Sequence, residues 1–326
     1  MKRFFLLLAA FLAILYRNAF FARFFQDDFL LLQLAKSGNI FTPIANFPYR
    51  PLSIQIFYGF GFKLFGENPF GYHLLLFLIF IAALFFVYKL SNWQTTVIYA
   101  FNVSLFPLFY WVAASYFVLA AFFVFGAVYF YKKQNFVIAF LFFLFGLLSN
   151  EIIVVLPLLL LLTKISKKVW IFFFVDALYL LFRMRLALPQ AKDYTLDFSL
   201  KFLTTFKWYF LRIFNLPEGR SAMNSLILVL FIFLIFILLA SYKNFSLKKF
   251  IFGISWFFIG ALPFFFLPYH MSAYYLTISL FGPAVFMSSL FNSNRKLGII
   301  FLVLYLLLTV FGLDALSKTH WIILKS

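Results

Sequence analysis

Two adjacent acids are the residues of this chain best suited to chemistry. Asp27 and Asp28 follow the first apolar segment directly. A carboxylate in such a place can act as general base on an acceptor hydroxyl. Helix capping is the competing role, because acids are favoured in the first turn of a helix. Adjacent acids in one turn point in different directions, so one can cap while the other works.

A second set of polar residues could bind an anionic substrate. Glu151 interrupts two apolar segments at the tight turn Ser149–Glu151. Arg183 and Arg185 follow an apolar run and could hold a phosphate bidentately, with anchoring to lipid head groups as the competing role. His270 stands in a short loop and could contact the substrate. Its competing role is that of a solvent-exposed capping residue at the membrane interface. The other candidates for substrate contact are Tyr49, Arg50 and Tyr274.

One acid is predicted to lie deep in the membrane. Asp176, Tyr179 and Arg183 fall at i, i+3 and i+7, so they share one helix face. An ionisable group inside a span is costly, and we expect Asp176 to pair with a buried donor in a structural role. No motif of a known metal or nucleotide site occurs. A divalent metal at Asp28 or Glu151 stays open without a supporting ligand spacing, and no cofactor is predicted.

The composition excludes most other classes of protein. Of 326 residues, 66% are hydrophobic and only 11% are charged, against about 45–50% apolar and about 25% charged in soluble domains. A soluble enzyme, a disordered protein and a coiled coil are therefore excluded. The absence of Cys excludes disulfides and thiolate metal sites. The net charge of +18 indicates basic loops beside a membrane rather than a nucleic-acid partner.

The apolar segments predict an all-α polytopic membrane protein with a bundle of about eleven spans. A spanning helix needs about 20 mostly apolar residues. We treat 1–326 as one membrane domain without a separate soluble domain. The first span resembles a signal peptide but lacks a clear cleavage site, so we interpret it as an uncleaved anchor. The predicted spans are 4–21, 70–88, 93–110, 112–130, 135–149, 151–163, 169–183, 222–241, 250–268, 272–290 and 297–314, of which the sixth and seventh are short.

The short loops predict the orientation of the chain. With the N-terminus in the cytoplasm, thirteen basic residues and no acid lie inside, and the short loops opposite carry no Lys or Arg. An odd number of spans then places the C-terminus outside the cell (inner) membrane. The inner basic residues are Lys2, Arg3, Lys89, Lys132, Lys133, Lys164, Lys167, Lys168, Lys243, Lys248, Lys249, Arg295 and Lys296.

Two outer segments, about 22–69 and 184–221, are too long to be simple turns. The first is predicted to form two interfacial helices, with Gly38 after one helix, Pro51 at the start of the next and Gly66 at its end. In the second, the segment Leu196–Leu216 is predicted to form another interfacial helix. Its residues Lys201, Thr205, Trp208 and Arg212 follow helical spacing.

Polar clusters from six separate segments converge on the outer side, which predicts an active site that opens outward. The clusters are Asp27 and Asp28, Tyr49–Pro51, Glu67–His73, Asn150 and Glu151, Arg183 and Arg185, and Tyr269 and His270.

Four segments carry a resemblance to a known family. The stretch QDDFLLLQLAKSGNIF, followed by Tyr-Arg-Pro-Leu, is similar to the first outer loop of GT-C fold glycosyltransferases, which use polyprenyl-phosphate sugars. It most resembles the protein O-mannosyltransferases and the transmembrane mannosyltransferases that carry tetratricopeptide repeats. The later matching segments are LSNEIIVVLPLLLLL, LYLLFRMR and LPFFFLPYHMSAYYLTISLFGPAVF.

The resemblance implies a fold, an activity and residue roles. Asp27 or Asp28 would be the catalytic carboxylate, Arg50 and Glu151 would border the site, and Arg183 and His270 would lie near the lipid phosphate. The reaction would move a hexose-type sugar from a polyprenyl-phosphate donor to a glycan, lipid or protein hydroxyl on the non-cytoplasmic face, with inversion. The chain departs from those relatives because it has no repeats, and because the protein mannosyltransferases have Asp-Glu where it has Asp-Asp.

Three other function classes compete with this interpretation. A transporter or flippase for lipid-linked saccharides would show inverted repeats and polar groups near the membrane midplane. Only Asp176 is predicted to be deep, and no repeat is visible. A saccharide polymerase and a non-catalytic membrane subunit are the remaining alternatives, and an Asp pair beside a cationic cavity distinguishes a transferase from both.

Overall fold

A computed structural model describes residues 1–38, 49–185, 194–218, 246–289, 291 and 295–325. Every regular element in these ranges is helical. In chain order the α-helices are α1 (Lys2–Leu15), α2 (Asp27–Ser37), α3 (Phe57–Phe65), α4 (Pro69–Leu90), α5 (Trp93–Ala100), α6 (Phe106–Tyr110), α7 (Ser115–Lys132), α8 (Phe136–Leu147), α9 (Leu156–Thr163), α10 (Val169–Arg185), α11 (Lys201–Ile213), α12 (Leu247–Phe265), α13 (Phe281–Ser289), α14 (Arg295–Thr319) and α15 (Trp321–Lys325).

The helices group into two compact units. The first contains Met1–Leu90 and Leu108–Leu196, and the second contains Ser91–Pro107 and Asp197–Lys325. Both units fall inside the region that we treat as a single membrane domain, and that assignment stays a prediction.

The core of the first unit is α7, which packs against α4 and α8. Small residues allow this close packing, because they bring helix backbones together. Ala120 and Ala121 are fully buried on α7. A Cβ atom at Gly126 would collide with the Phe142 ring of α8. The chain after α1 is fixed to this core by Tyr16, whose ring stacks on Phe109 with centroids 4.0 Å apart.

The second unit is built around α12 and α13 and a polar lock at the end of α11. A Cβ atom added at Gly253 would lie 2.7 Å from the Gly282 carbonyl oxygen, so the two helices cross at van der Waals contact. Asn215 ends α11 with φ 65°. Its side chain accepts from Val103 N (2.6 Å) and donates to Thr309 Oγ1 (2.7 Å) on α14. These bonds fix α11 within its unit.

Among the described residues, four helices are long and apolar enough to cross a membrane, which supports a membrane protein. They are Pro69–Leu90, Val112–Lys132, Leu247–Phe265 and Gly298–Leu324. The predicted number of about eleven spans is not confirmed. The predicted span 222–241 lies outside the described residues.

Several predicted spans are interrupted or short. The span 93–110 breaks at Asn102, whose side chain accepts from Ser104 N (2.9 Å) and caps a new turn. The span 272–290 divides into a 3₁₀ turn, Ala273–Thr277, and α13. The span 151–163 likewise begins with a 3₁₀ turn, Glu151–Val155, before α9. At about 1.5 Å per residue, the 12 residues of α8 cover about 18 Å, less than the thickness of a bilayer core.

The helices predicted from glycine and proline signals are present, and their position at the membrane surface stays a prediction. Helix α2 ends at Gly38 with φ 70°, in the left-handed region that glycine tolerates. A π-helical turn, Leu52–Ile56, follows Pro51 and continues into α3, which ends at Gly66 with φ 59°. Helix α11 lies within the predicted segment Leu196–Leu216.

Candidate active site

The candidate site of the first unit begins at the strained entry to α2. Gln26 has φ 45° and ψ −108°, a conformation that costs a non-glycine residue about 1–3 kcal/mol. The indole Nε1 of Trp111 donates to the carbonyl oxygen of Phe25 (3.3 Å) and so supports this turn. The turn sets the directions of the two acids that follow.

Asp28 is fully buried and serves as an anchor. Its Oδ1 accepts from the Tyr58 hydroxyl (2.7 Å), and its Oδ2 accepts from Phe25 N (2.9 Å). Desolvation by burial raises the pKa of this carboxyl to about 7, although the hydrogen bonds from Tyr58, Phe25 and the Ala113 backbone oppose the rise. Asp28 therefore ties the start of α2 to α3.

Asp27 is in a different state, although it is the next residue. Its side chain is half-buried and makes no hydrogen bond or ion pair with the described residues. Desolvation also raises the pKa of this carboxyl above its usual value. A desolvated carboxylate without a partner is the arrangement that a general base needs. The two adjacent acids thus differ in their surroundings: Asp28 accepts from Tyr58 and Phe25 and does not cap the helix, and the catalytic role of either acid stays a prediction.

Two arginines share one carboxylate in the same unit. Arg50 Nε donates to Glu151 Oε2 (2.7 Å), and an Nη2 hydrogen bond joins Arg183 to Glu151 Oε1. Arg183 Nη1 also donates to the carbonyl oxygen of Tyr49 (3.0 Å). Two guanidinium groups and one carboxylate leave this cluster with a net charge of one positive unit.

The backbone around Glu151 is fixed by its neighbours. Asn150 caps the 3₁₀ turn by accepting from Ile152 N (3.1 Å). Ser53 Oγ donates to the carbonyl oxygen of Ser149 (2.6 Å), which joins this turn to the π-helical turn after Arg50. Two segments about 100 residues apart in sequence are therefore held together, as the sequence analysis expects for Arg50 and Glu151.

Tyr116 connects the cationic cluster with the acid pair. The Arg50 guanidinium lies over the Tyr116 ring, 4.3 Å from its centroid. The Tyr116 hydroxyl interacts electrostatically with both Arg50 and Asp27. Tyr116 thus lies within electrostatic range of both Asp27 and the arginine cluster.

A cleft of about 520 Å³ starts beside the acid pair. Neither Asp27 nor Asp28 lines it. Its polar lining contains two amides and the Lys36–Glu67 ion pair, and its apolar lining contains an exposed phenylalanine. The lining residues are Gln26, Phe29, Leu30, Leu32, Gln33, Lys36 and Glu67.

The remaining predicted residues are not brought into this cluster by the contacts of the first unit. Arg185 is exposed and makes no ion pair with the described residues. His270 and Tyr274 belong to the second unit, where Tyr274 is buried and both rings lie close to Tyr275. Their assignment to the same site stays a prediction. The described residues contain no group of three His, Cys, Asp or Glu side chains suited to a metal.

Among the described residues Asp176 lacks the buried donor that we predicted for it. It is buried, but its Oδ1 has no hydrogen-bond partner in the described part of the chain. Tyr179, one turn further along α10, also has an unpartnered hydroxyl there. The shared helix face is present, but neither Tyr179 nor Arg183 donates a hydrogen bond to Asp176.

Sequence reasoning missed two tyrosines of the site, Tyr58 and Tyr116. Both occur in a chain with 57 Phe and 18 Tyr, where one more aromatic residue carries no signal. Tyr58 lies at helical spacing after Pro51 and could have been considered as a hydrogen-bond partner for an acid. Its neighbours Phe57 and Phe60 are also aromatic, so the sequence does not single it out.

The fold is similar to that of a solved glycosyltransferase. Over 96% of this chain, the structure matches the arabinofuranosyltransferase AftD from mycobacteria with a TM-score of 0.51 and 10% sequence identity. The match covers 27% of the AftD chain. No protein-family model and no curated protein matches the sequence. The likeness supports the GT-C-like membrane fold predicted from the sequence, without a subtype.

Proposed function

We propose that the protein is an inverting glycosyltransferase that uses a polyprenyl-phosphate sugar as donor. The acceptor would be a hydroxyl on a glycan, lipid or protein at the non-cytoplasmic face. The fold likeness to AftD supports a glycosyltransferase in general terms. The observation that carries the proposal is the half-buried Asp27, which has no partner among the described residues, next to an anchored Asp28 and in the same unit as a net-positive arginine cluster.

Asp27 is the proposed general base. Its carboxylate takes the proton of the acceptor hydroxyl while that oxygen attacks the anomeric carbon. The bond between that carbon and the phosphate oxygen breaks, and the configuration inverts. Because burial raises the pKa of Asp27, the carboxylate is a better proton acceptor than a solvated aspartate.

Arg50 and Arg183 are the proposed stabilisers of the leaving group. Negative charge develops on the polyprenyl phosphate as the glycosidic bond breaks, and fixed cations stabilise it without reorganisation. Glu151 holds both guanidinium groups in place and leaves one positive charge uncompensated. Arg185 of the same unit is proposed as a further donor contact, and the donor-binding roles of His270 and Tyr274 stay predictions from the sequence. The cleft that starts at Gln26 is the proposed acceptor site.

Purified full-length protein in nanodiscs tests the proposal. It is incubated with polyprenyl-phosphate mannose, glucose and arabinofuranose, the last because AftD is named for that sugar. The acceptors are an oligosaccharide, a glycolipid and a peptide, and products are detected by mass spectrometry. We expect one donor to be consumed, the product to have inverted anomeric configuration, and Asp27→Asn to lower turnover about 10²–10⁴-fold. In a parallel experiment with the protein in vesicles, movement of the lipid-linked sugar across the bilayer without transfer would contradict the proposal and favour a flippase.

A further inference from the structure

Arg212 of the second unit is a buried arginine that has no hydrogen-bond acceptor among the described residues. It lies near the end of α11 with 4% of its surface exposed. Its Nε is shielded from solvent and has no hydrogen-bond partner, and its side chain donates to none of the described residues. Five N–H donors are therefore available on one side chain.

The counter-charge nearest to Arg212 is engaged elsewhere. Glu218 interacts with Arg212 electrostatically but forms no ion pair with it. Its Oε1 accepts from Ala273 N (2.7 Å), and its Oε2 lies 3.7 Å from His320 Nε2. Burial of a charged group without hydrogen bonds costs several kcal/mol. The arrangement of Arg212 therefore requires a reason other than the stability of the fold.

An aromatic platform orients the guanidinium. The guanidinium carbon of Arg212 lies 4.1 Å from the centroid of the Trp208 ring. Stacking on one face leaves the N–H groups in the guanidinium plane available to a planar or tetrahedral oxyanion. The backbone is also fixed, since Asn102 Nδ2 donates to the carbonyl oxygen of Arg212 (3.1 Å). The donor fork is therefore preorganised.

The helix that carries Arg212 has the features of a membrane-surface helix. Exposed apolar side chains, including Leu203 and Phe210, alternate on α11 with exposed Lys207. A helix of this kind lies at the depth of the lipid head groups, where phosphates are abundant. Burial lowers the pKa of Arg212 to about 10 against the field of Glu218, so the group stays charged at neutral pH.

We propose that Arg212, stacked on Trp208, binds a phosphate group, supplied either by an anionic lipid or by free phosphate. The site belongs to the second unit and does not depend on the proposed transferase activity. An Arg–phosphate pair with two parallel hydrogen bonds would satisfy donors that the chain leaves unpaired. The phosphate would also supply the counter-charge that Glu218 does not provide at contact distance.

Thermal unfolding of the full chain in a non-ionic detergent tests the site. The additions are inorganic phosphate, sodium chloride at matched ionic strength, and mixed micelles of phosphatidylglycerol or phosphatidylcholine. Binding to the folded state raises Tm as ligand concentration rises. We expect phosphate or phosphatidylglycerol to raise Tm beyond the chloride and phosphatidylcholine controls. A response to inorganic phosphate assigns a free anion, and a response to phosphatidylglycerol alone assigns a lipid.

The matched variants are Arg212→Gln and Lys207→Gln, which each remove one positive charge from α11. We expect Arg212→Gln to weaken binding at least about tenfold, equivalent to the loss of one charged hydrogen bond, and Lys207→Gln to bind as the wild type does. Trp208→Leu keeps the charge and removes the aromatic platform, so we expect it to weaken phosphate binding as well. It is the test variant if Arg212→Gln fails to fold. The proposal is overturned if the wild type responds no more than in chloride, or if Arg212→Gln responds as the wild type does.

Discussion

Arg183 and Arg212 are almost equally buried, with 6% and 4% of their surfaces exposed, but their surroundings differ. Arg183 donates to the Glu151 carboxylate and to the Tyr49 carbonyl oxygen. Arg212 donates to none of the described residues and rests on an indole ring. Burial alone therefore does not distinguish a charge that completes an internal network from one that is ready for an external ligand. The hydrogen-bond acceptors around the group make that distinction.

The largest expected effect comes from breaking the network of Arg183. Glu151→Gln removes the only carboxylate that Arg50 and Arg183 contact among the described residues, so two guanidinium groups lose their counter-charge. We expect the free energy of unfolding to fall by about 3–5 kcal/mol, measured by thermal or denaturant unfolding in detergent. Glu67→Gln is the matched control, because the Lys36–Glu67 pair is exposed and contributes about 0–1 kcal/mol. Equal losses in both variants would contradict a structural role for the cluster.

The second effect concerns the two adjacent acids. Burial raises the pKa of Asp28 from 3.8 to about 7, so the folded state binds a proton more tightly than the unfolded state. The associated stability is therefore present below pH 4 and is lost as the pH rises towards 7. This difference in proton affinity between the folded and unfolded states corresponds to at most about 4 kcal/mol of stability.

Unfolding between pH 4 and pH 8 measures this effect, with Asp28→Asn as the test variant and Asp314→Asn as the exposed control. We expect Asp28→Asn to flatten the decline in stability. The shallower decline that remains should come from Asp27, whose pKa is raised in the same direction. An unchanged profile in Asp28→Asn would contradict the burial account.

The third effect compares the two arginines directly. Arg183→Met loses two charged hydrogen bonds and should cost about 1.5–3 kcal/mol. Arg212→Met loses no hydrogen bond to a described residue and removes a buried charge, so its unfolding free energy should stay the same or rise by about 1–4 kcal/mol. Parallel unfolding experiments without added phosphate provide the comparison. A larger loss of unfolding free energy in Arg212→Met than in Arg183→Met would contradict the proposed difference between the two arginines.

Some helix ends and some residues of the candidate site could be predicted from the sequence, because they depend on local rules. Gly38 and Gly66 mark the ends of the surface helices, since both adopt positive φ angles. Arg50, Glu151 and Arg183 stand out because charged residues are rare in an apolar chain, and the structure brings them together. Candidate site residues are thus easier to choose among the few charged residues of an apolar chain than among the many on a typical charged surface.

Other parts could not be predicted because they depend on tertiary contacts. Hydropathy does not register the turn at Asn102, where one side chain caps the backbone and ends an apolar segment. The different states of Asp27 and Asp28 depend on Tyr58, which lies 30 residues further along the chain. Arg212 has the spacing of a head-group anchor, and only its missing acceptors indicate a site.

The central claim is that Asp27 acts as the base and Asp28 as its anchor. The most direct test is the turnover number for sugar transfer by Asp27→Asn and Asp28→Asn, each checked for an unchanged Tm at one pH. We predict that Asp27→Asn lowers kcat about 10²–10⁴-fold with an unchanged KM for the donor. We expect Asp28→Asn to lower kcat by a smaller factor than Asp27→Asn does. Full activity of Asp27→Asn, or a greater loss in Asp28→Asn at equal stability, would contradict the account.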